Sequence, residues 1–338
     1  MTGRHQAGVS TPAPPQTNLL MVVSDLDGPP APVLARMGTT IEALALGRSE
    51  QLAGLDPGDL TITVGVGPRL VAQIDPTLPG AAALPVFAHE ELVEACNGGD
   101  LMVQVCASNP LLLPAAAAAL GSSGDGMLRE RWRQRAFRGE YVAVGNVGYA
   151  PRNVLGFVDG IVVPRSTADL DADVWLQGPP AVAGGTVAVV RRMEVQLERF
   201  LALPVSAQED VIGRRRSSGG PLSGGDIAAI PDLEATTSSG SFQIPEHAHA
   251  RVANPAMIEI PTMLRRSYSF AESGGGILFV SFQNGLSTFT QTLERMDAYD
   301  DALLPYTTTT ASGTFLILPG FQSDHTLGAT LFGNSTLH

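Results

Sequence analysis

Two histidines separated by a single residue are the most chemically suggestive feature of the sequence. His247 and His249 lie in the segment Pro-Glu-His-Ala-His-Ala-Arg-Val-Ala-Asn-Pro, which spans residues 245–255. Alternate residues of an extended segment project to the same side, so the pair is compatible with a two-histidine metal clip. The sequence offers no third or fourth ligand nearby. An ordinary surface or core histidine is the other interpretation that the segment alone allows.

Other common kinds of catalytic site lack support in the sequence. It contains no Gly-x-x-x-x-Gly-Lys-Ser/Thr, no Gly-x-Gly-x-x-Gly that opens a helix, and no Gly-x-Ser-x-Gly. These patterns mark phosphate loops, dinucleotide sites and serine nucleophiles. The two cysteines, Cys96 and Cys106, show neither Cys-x-x-Cys nor zinc-like spacing. Nucleotide-binding enzymes, acyl-transfer enzymes, zinc sites and disulfide frameworks are therefore disfavoured.

The histidine segment belongs to a wider set of motifs. His249-Ala-Arg-Val-Ala-Asn-Pro255 resembles the haem-ligand motif of the dye-decolorising peroxidases. Gly156-Phe-Val-Asp-Gly160 matches the Gly-x-x-Asp-Gly signature of that family, and Met263-Leu-Arg-Arg-Ser-Tyr268 matches its segment with the distal arginine. Val211-Ile-Gly-Arg214 also fits, and the motifs follow the family order. The Gly-x-x-Asp-Gly signature is weak alone, but its combination with His249 and Arg265 is specific. Other similar sequence segments extend the resemblance over nearly the whole chain.

The resemblance implies that the chain binds haem b, an iron protoporphyrin IX, through His249. A neutral imidazole holds ferric iron and pushes electron density toward the oxidant, so His249 is the expected proximal ligand. The motif register places His247 toward solvent or near a propionate. Asp301 is expected to accept the other ring N–H of His249 and give the imidazole partial anionic character. Capping of a helix near residues 300–304 is the alternative role for Asp301.

On the opposite face of the haem, the resemblance implies two residues that act on hydrogen peroxide. Asp159 is expected to carry a proton between the two peroxide oxygens, and its alternative role is to form a turn before Gly160. Arg265 is expected to stabilise negative charge as the O–O bond breaks. Ile277 and Phe279, on one face of a predicted strand, are expected to cover the distal haem face or to be ordinary core residues.

Two further roles concern the edge of the haem. Arg214 is expected to pair with a haem propionate through a charge-assisted hydrogen bond, with a surface ion pair as the alternative. Bulky donors cannot enter a cavity sized for peroxide, so their oxidation requires electron transfer through an aromatic side chain that reaches the surface. The candidates, for each of which core packing is the alternative role, are Trp132, Trp175, Tyr268, Tyr299 and Tyr306.

Hydrophobic periodicity predicts the elements that position these residues. Period-two apolar runs bounded by turn residues predict strands at residues 19–23, 60–66, 101–106, 186–190, 277–282 and 314–318, with a further strand at 141–144. Amphipathic spacing and Ala, Leu and Glu content predict helices at residues 32–46, 110–120, 194–203 and 286–296.

The order of these elements predicts an α+β fold. The first half has the order strand, helix, strand, strand, helix, strand, and the second half is compatible with the same order, so we predict two ferredoxin-like (βαββαβ) halves. They are expected to form an antiparallel-sheet core with peripheral helices, and the resemblance puts haem in the C-terminal half. The predicted divisions are a flexible N-terminal arm at 1–17, an N-terminal domain at 18–165 and a C-terminal haem-binding domain at 166–338.

Composition restricts the partners and the compartment. The 338-residue chain has 33 acidic residues and 21 basic residues, all of them arginine, for a net charge of -12. It lacks the basic face that a nucleic-acid-binding protein needs. No apolar run is long enough to span a membrane, and no export signal is recognisable. The resemblance is compatible with a cytoplasmic protein or with one exported after removal of a twin-arginine leader. It is also compatible with a protein that forms a homo-oligomer.

The function expected from the resemblance is a haem-dependent peroxidase that reduces hydrogen peroxide and oxidises phenols, dyes or other bulky donors. Its activity should favour mildly acidic pH if Asp159 carries the proton. One alternative is a deferrochelatase-like protein that releases iron from haem. Another is a haem carrier or sensor, although such a protein needs neither Asp159 nor Arg265.

Overall fold

The computed structural model describes residues 3–146, 148–322 and 325–333, in which an antiparallel sheet is packed against helices. The strands are β1 Asn18–Leu26, β2 Thr61–Val66, β3 Leu101–Ala107, β4 Leu128–Phe137, β5 Tyr141–Val144, β6 Gly148–Pro151, β7 Thr186–Val195, β8 Leu264–Arg265, β9 Tyr268–Phe270, β10 Gly276–Gln283 and β11 Thr307–Ile317. The helices are α1 Pro30–Ala45, α2 Pro68–Ile74, α3 Leu112–Ser122, α4 Thr167–Asp173, α5 Leu197–Leu201, α6 Val205–Ile212, α7 His249–Val252, α8 Leu286–Ala298 and α9 Ala329–Phe332. None of these helices combines the length and the apolar character needed to cross a membrane.

The main sheet closes on itself. Its strand order is β7-β11-β2-β3-β1-β4-β9-β10-β8, and an additional pairing between β7 and β10 completes a ring. Both β8 and β9 pair with β10, and only Arg266 and Ser267 separate them along the chain, so they are two parts of one interrupted strand. The strands β5 and β6 form a separate hairpin outside the ring.

The ring consists of two ferredoxin-like halves. In the first half the strands lie in the order β2-β3-β1-β4, and in the second they lie in the order β11-β7-β10-β9. In each half the first and third strands are therefore central, with the second and fourth at the edges, as the βαββαβ motif requires. The halves meet where β2 pairs with β11 and β4 pairs with β9. The predicted α+β fold class is confirmed.

The fourth strand of the first half differs from the prediction. The strand predicted at residues 141–144 exists, but it is β5 of the outer hairpin, and the edge position belongs to β4. The buried face of β4 carries Trp132, Gln134 and Ala136, which alternate with exposed arginines. Arginine, glutamine and glutamate give little strand propensity, so this strand has a period-two pattern with a weak apolar signal.

The helix predicted at residues 194–203 is present but is much shorter than predicted. Strand β7 continues to Val195, and α5 is only five residues long. Pro204 ends this stretch, because a proline cannot continue the hydrogen-bonding of the preceding helix, and α6 begins at Val205.

The N-terminal segment, predicted to be a flexible arm, is packed on the barrel instead. The side-chain amide of Gln6 donates to the carbonyls of Val64 and Leu318, at 2.8 and 2.9 Å, and Val9 is fully buried. A buried glutamine whose amide bridges β2 and the residue that follows β11 fixes the segment in place. The domain limits at residues 17 and 165 stay a prediction, and those at residues 1 and 338 lie outside the described residues.

The two faces of the sheet in the second half serve different purposes. On β10, Leu278 and Val280 point into the barrel, where they pack with residues of β1 and β7 in one apolar core. Ile277 and Phe279 alternate with them and point outward, toward a separate apolar cluster. The barrel interior is therefore filled by side chains, and the space for a ligand lies outside it, between the sheet and helices α6 to α8.

Candidate active site

A cleft on the outer face of the second half collects the residues predicted to do chemistry. It encloses about 1600 Å³ of space, its open mouth included, between β7, β8, β10 and β11 on one side and α6, α7 and α8 on the other. Six of the seven predicted site residues line it, namely Asp159, Arg214, His249, Arg265, Ile277 and Phe279. The seventh, Asp301, lies directly behind His249.

His249 is the first residue of α7 and enters the cleft from the helical side. Its Nδ1 lies 2.8 Å from Oδ2 of Asp301, whose side chain is fully buried. Oδ1 of the same carboxylate accepts the backbone N–H of Leu303 at 2.9 Å. Asp301 thus holds both the imidazole and the backbone of Leu303. It does not cap a helix, because the 3₁₀-helix Leu304–Tyr306 begins without a side-chain hydrogen bond.

The other ring nitrogen of His249 is available to a ligand. The side chain keeps 35% of its surface accessible because it lines the cleft. Within the described residues, Nε2 has no hydrogen-bonding partner. Burial disfavours the imidazolium, but the charge and hydrogen bond of Asp301 outweigh burial and raise the pKa of His249. A carboxylate on Nδ1 and an open Nε2 is the arrangement of a metal-binding imidazole with an oriented ring.

His247 points elsewhere. It is exposed, it does not line the cleft, and its Nδ1 lies 2.8 Å from the carbonyl oxygen of Tyr299. The described residues contain no group of three or more His, Cys, Asp or Glu side chains placed to hold a metal ion. The rings of His247 and His249 therefore lie in different environments, and the interpretation as a two-histidine metal clip has no support.

Asp159 reaches the cleft from the loop that follows β6. Its backbone N–H donates to the carbonyl of Pro151 at 2.9 Å, and Gly160 after it has a φ of +78°, in the left-handed region that glycine favours. The turn and the cleft position therefore coexist in this segment. Within the described residues, the Asp159 carboxylate has no internal hydrogen-bonding partner. Its carboxylate oxygens are therefore open to a ligand in the cleft.

Arg265 enters from the sheet side, as the last residue of β8, where it pairs with Ser281 of β10. It lines the cleft together with Asp159, and in the part of the chain that the structure describes neither residue forms an ion pair. The interruption between β8 and β9 comes directly after it. A strand holds its backbone while its guanidinium remains available in the cleft.

Arg214 supplies a second cation to the cleft. Its side chain is buried and donates to the carbonyl of Gly219 at 2.8 Å. Burial lowers its pKa, and the positive charge of Arg265 lowers it further. No carboxylate pairs with it among the described residues, so the alternative of a surface ion pair is wrong. A buried guanidinium without a counter-charge calls for an anionic ligand.

The groups that line the cleft fit haem b. His249 offers an imidazole nitrogen to iron, and Arg214 offers an unbalanced buried cation to a propionate carboxylate. Ile277 and Phe279 offer an apolar surface to the porphyrin plane. The donor set therefore matches a flat, apolar, iron-containing molecule that carries a carboxylate at its edge.

Comparison with known families decides the identity. The model of the N-terminal part of the Dyp-type peroxidases matches residues 6–138, and that of the C-terminal part matches residues 150–322. The chain belongs to the Dyp-type peroxidase family. It is therefore an oxidoreductase of a family that acts on peroxide and carries haem.

Individual relatives of this peroxidase carry two different names. It is 33% identical to a dye-decolorizing peroxidase of Thermobifida fusca (strain YX), over 82% of this chain and 69% of the relative. It is 32% identical to a deferrochelatase of Yersinia pseudotuberculosis serotype I (strain IP32953), over 97% of this chain and 83% of the relative. A solved DyP-type peroxidase from Streptomyces coelicolor superposes with a TM-score of 0.90 at 31% identity, covering 98% of this chain and 96% of the other.

A buried ion pair in the wall of the cleft was not predicted from the sequence. Arg191 of β7 lies 2.7 Å from Glu90, and both side chains are 4% exposed. The Arg191 guanidinium lies over the rings of Phe87 and Phe289 and donates to Thr309 at 2.8 Å. Extending the period-two pattern of β7 beyond residue 190 would have placed Arg191 on the cleft face.

The face of α8 that lines the cleft also had a detectable signal in the sequence, in this case helical spacing of apolar residues. Phe289, Leu293 and Met296 recur at helical spacing and all line the cleft. His89 had no such signal. The segment after Phe87 crosses from the first half of the barrel and pairs with β11 at Thr309, and this brings His89 into the lining of the cleft. The backbone of His89 has a φ of +56°.

The aromatic candidates for electron transfer fall into two groups. Trp132, Trp175 and Tyr268 are buried in the core of the barrel. Tyr299 is 54% exposed at the end of α8, and Tyr306 is half-buried and packs edge-on against Phe200 at 5.4 Å. Core packing is therefore the observed role of the first three, and only the last two of the five reach the surface.

Proposed function

We propose that this chain is a haem-dependent peroxidase that reduces hydrogen peroxide and oxidises dyes, phenols or other bulky donors. One observation carries the proposal. The carboxylate-bound imidazole of His249 enters the cleft from the helices, while Arg265 and Asp159 enter the same cleft from the sheet and a neighbouring loop. The cleft thus holds a metal-binding group together with an acid–base group and a fixed cation.

The residues that would hold the haem have separate tasks. His249 would bind the iron, Arg214 would pair with a propionate, and Ile277 and Phe279 would supply an apolar surface to the porphyrin from the sheet side of the cleft. When bound, haem supplies a redox-active iron at which the O–O bond of peroxide is broken. The hydrogen bond that the Nδ1–H of His249 donates to Asp301 orients the imidazole and increases the electron density of its ring, which favours breaking of the O–O bond.

Asp159 and Arg265 act on the peroxide itself. The carboxylate of Asp159 takes a proton from one peroxide oxygen and delivers it to the other, which leaves as water. The guanidinium of Arg265 stabilises the negative charge that develops as that oxygen leaves, and its charge is present before the reaction begins. Aromatic or dye donors then supply two electrons, through Tyr299 or Tyr306 where the donor is too large for the cleft.

The comparisons also raise iron release from haem, because several relatives are named deferrochelatase. No contact in the described part of the chain favours this reaction over peroxide reduction. The two activities give different products, since iron release leaves metal-free porphyrin. Product analysis after incubation with haem, with and without peroxide, separates the two. A carrier or sensor would show neither product and no peroxide consumption.

The decisive experiment compares two single-residue variants. Wild-type protein, His249→Ala and His247→Ala are loaded with haem, their visible spectra are recorded, and each is mixed with one equivalent of hydrogen peroxide in a stopped-flow spectrometer. We expect His249→Ala to lose or alter the ferric Soret band and the peroxide reaction. His247→Ala, the control two residues away, keeps both. Retention of the wild-type spectrum in His249→Ala would refute the ligand assignment, and failure of the wild type to bind haem would refute the function.

A further inference from the structure

A second cavity adjoins the peroxidase cleft. It encloses about 1120 Å³ of space, its mouth included, and shares Asp159 and Arg265 with the first. Its walls are the N-terminal segment at residues 10–15, the hairpin strand β6, the loop at residues 160–165 and the interruption between β8 and β9. The two cavities therefore meet at the residues that act on peroxide.

The second cavity is rich in cations. Arg138, Arg165 and Arg266 line it in addition to Arg265, whereas Asp159 is the acidic residue of its described lining. Arg266 is only 6% exposed, and its Nη2 donates to the carbonyl of Pro12 at 2.9 Å. Burial lowers the pKa of Arg266 to about 10, and the neighbouring Arg138 contributes to the lowering.

These arginines contact neutral groups. Arg165 donates to the carbonyls of Gly160 and Ile161, at 3.0 and 3.1 Å. Arg138 lies 4.5 Å from the centre of the Tyr268 ring, and its Nε is buried with no hydrogen-bonding partner in the described residues. Among those residues, no carboxylate forms an ion pair with Arg138, Arg165 or Arg266. Arginine keeps its proton even when buried, so the cavity holds an excess of positive charge.

The rest of the lining is apolar. Pro14, Pro15, Pro164 and Leu264 contribute hydrocarbon surface. Tyr149, 55% exposed, also lines the cavity. Guanidinium groups pair with carboxylates through two parallel hydrogen bonds, and the apolar surface suits a hydrocarbon or aromatic body. Inorganic anions would satisfy only the first of these two features.

We infer that the second cavity is a binding site for a small organic carboxylate, held by Arg266 and Arg138 with its apolar body against the prolines. The inference goes beyond the proposed function, because binding of this anion requires no turnover of peroxide. Its position beside Asp159 and Arg265 places the bound acid at the edge of the peroxide site.

Calorimetric titration of the haem-loaded protein with benzoate tests the inference. We expect one benzoate per chain, without a shift of the Soret band. Benzamide, which has nearly the same shape and no charge, should bind at least about tenfold more weakly, as expected for the loss of a charge-assisted hydrogen bond. Arg266→Gln should weaken benzoate binding by a similar factor. Arg135→Gln, an exposed position on β4 outside the cavity lining, should leave benzoate binding unchanged.

Because Arg266 is buried, Arg138→Gln serves as a second variant if Arg266→Gln does not fold, and the same weakening is expected. Unchanged benzoate affinity in whichever of these variants folds, or equal affinity for benzamide, would overturn the inference. Binding of inorganic phosphate in place of benzoate would assign the cavity to another class of anion. A Soret shift would put benzoate on the iron. If benzoate bound only to the haem-free protein, the arginines would instead be binding a carboxylate of haem itself, and the inference would be wrong.

Discussion

Removing Glu90 should destabilise the protein more than any exposed substitution. The side chains of Glu90 and Arg191 are each 4% exposed and lie 2.7 Å apart, and the Arg191 guanidinium also lies over two phenylalanine rings. In Glu90→Gln the guanidinium stays charged and buried without its counter-charge. Loss of one partner of a buried ion pair costs about 3–5 kcal/mol. The backbone N–H of Phe87, which donates to Glu90 at 3.0 Å, can still be accepted by the glutamine oxygen, so the charge is the main difference.

The assay is urea denaturation of the haem-free protein, followed by circular dichroism. The free energy of unfolding of Glu90→Gln should fall by about 3–5 kcal/mol, and that of the double variant Glu90→Gln/Arg191→Met should fall less, because no buried charge is left unpaired. A single variant within about 0.5 kcal/mol of wild type would refute the reasoning, since that is the range of ordinary surface substitutions. A double variant less stable than Glu90→Gln would show that packing of Arg191, rather than its charge, dominates.

Three further predictions concern other sites. Asp159→Asn should keep the ferric spectrum of the haem-loaded protein but slow its reaction with peroxide by about 10²–10⁴-fold in stopped-flow measurements, and an unchanged rate would exclude proton transfer by this residue. Burial opposes the charge of Asp100, but its hydrogen bonds to Arg69 and Leu26 outweigh burial and hold its pKa below the ordinary value. The ionised Asp100 carboxylate therefore stabilises the folded state above about pH 4, and this stabilisation is lost as the pH falls further. Asp100→Asn should lower the free energy of unfolding by about 1 kcal/mol at pH 7 and by less at pH 3. Burial raises the pKa of the Cys106 thiol to about 11, so iodoacetamide at pH 8 should alkylate Cys96 first in the native protein, and equal rates would contradict this.

The elements that sequence reasoning found are those with strong apolar alternation. Strands β1 and β10 have apolar residues on both faces, because each lies between two apolar clusters. Strands β2 and β3 have Val, Ile or Leu at every second position, on the face that packs into one apolar core. Strand β4 has arginine on its exposed face and was missed. The closure of the ring was beyond local reasoning, since only two residue pairs join β2 to β11 and a single pair joins β4 to β9. Such edge pairings depend on long-range register rather than on local pattern.

The candidate site shows the same division. His249, Asp159 and Arg265 were found because each lies in a motif a few residues long. Glu90 was missed because its importance comes from Arg191, which is about a hundred positions away in the sequence and in the other half of the barrel. No local pattern distinguishes a carboxylate that crosses between halves from one that faces solvent.

The composition connects these observations. All the basic residues are arginines, and a buried arginine cannot discharge itself by losing a proton as a buried lysine can. Every buried guanidinium near the cleft must therefore meet an anion or remain a permanent cost to stability. Arg191 has Glu90. Arg214 and Arg266 have no carboxylate partner in the described chain, and each lines a separate cavity. A haem propionate for Arg214 and an organic carboxylate for Arg266 would balance both charges, so the protein should gain stability from each ligand separately.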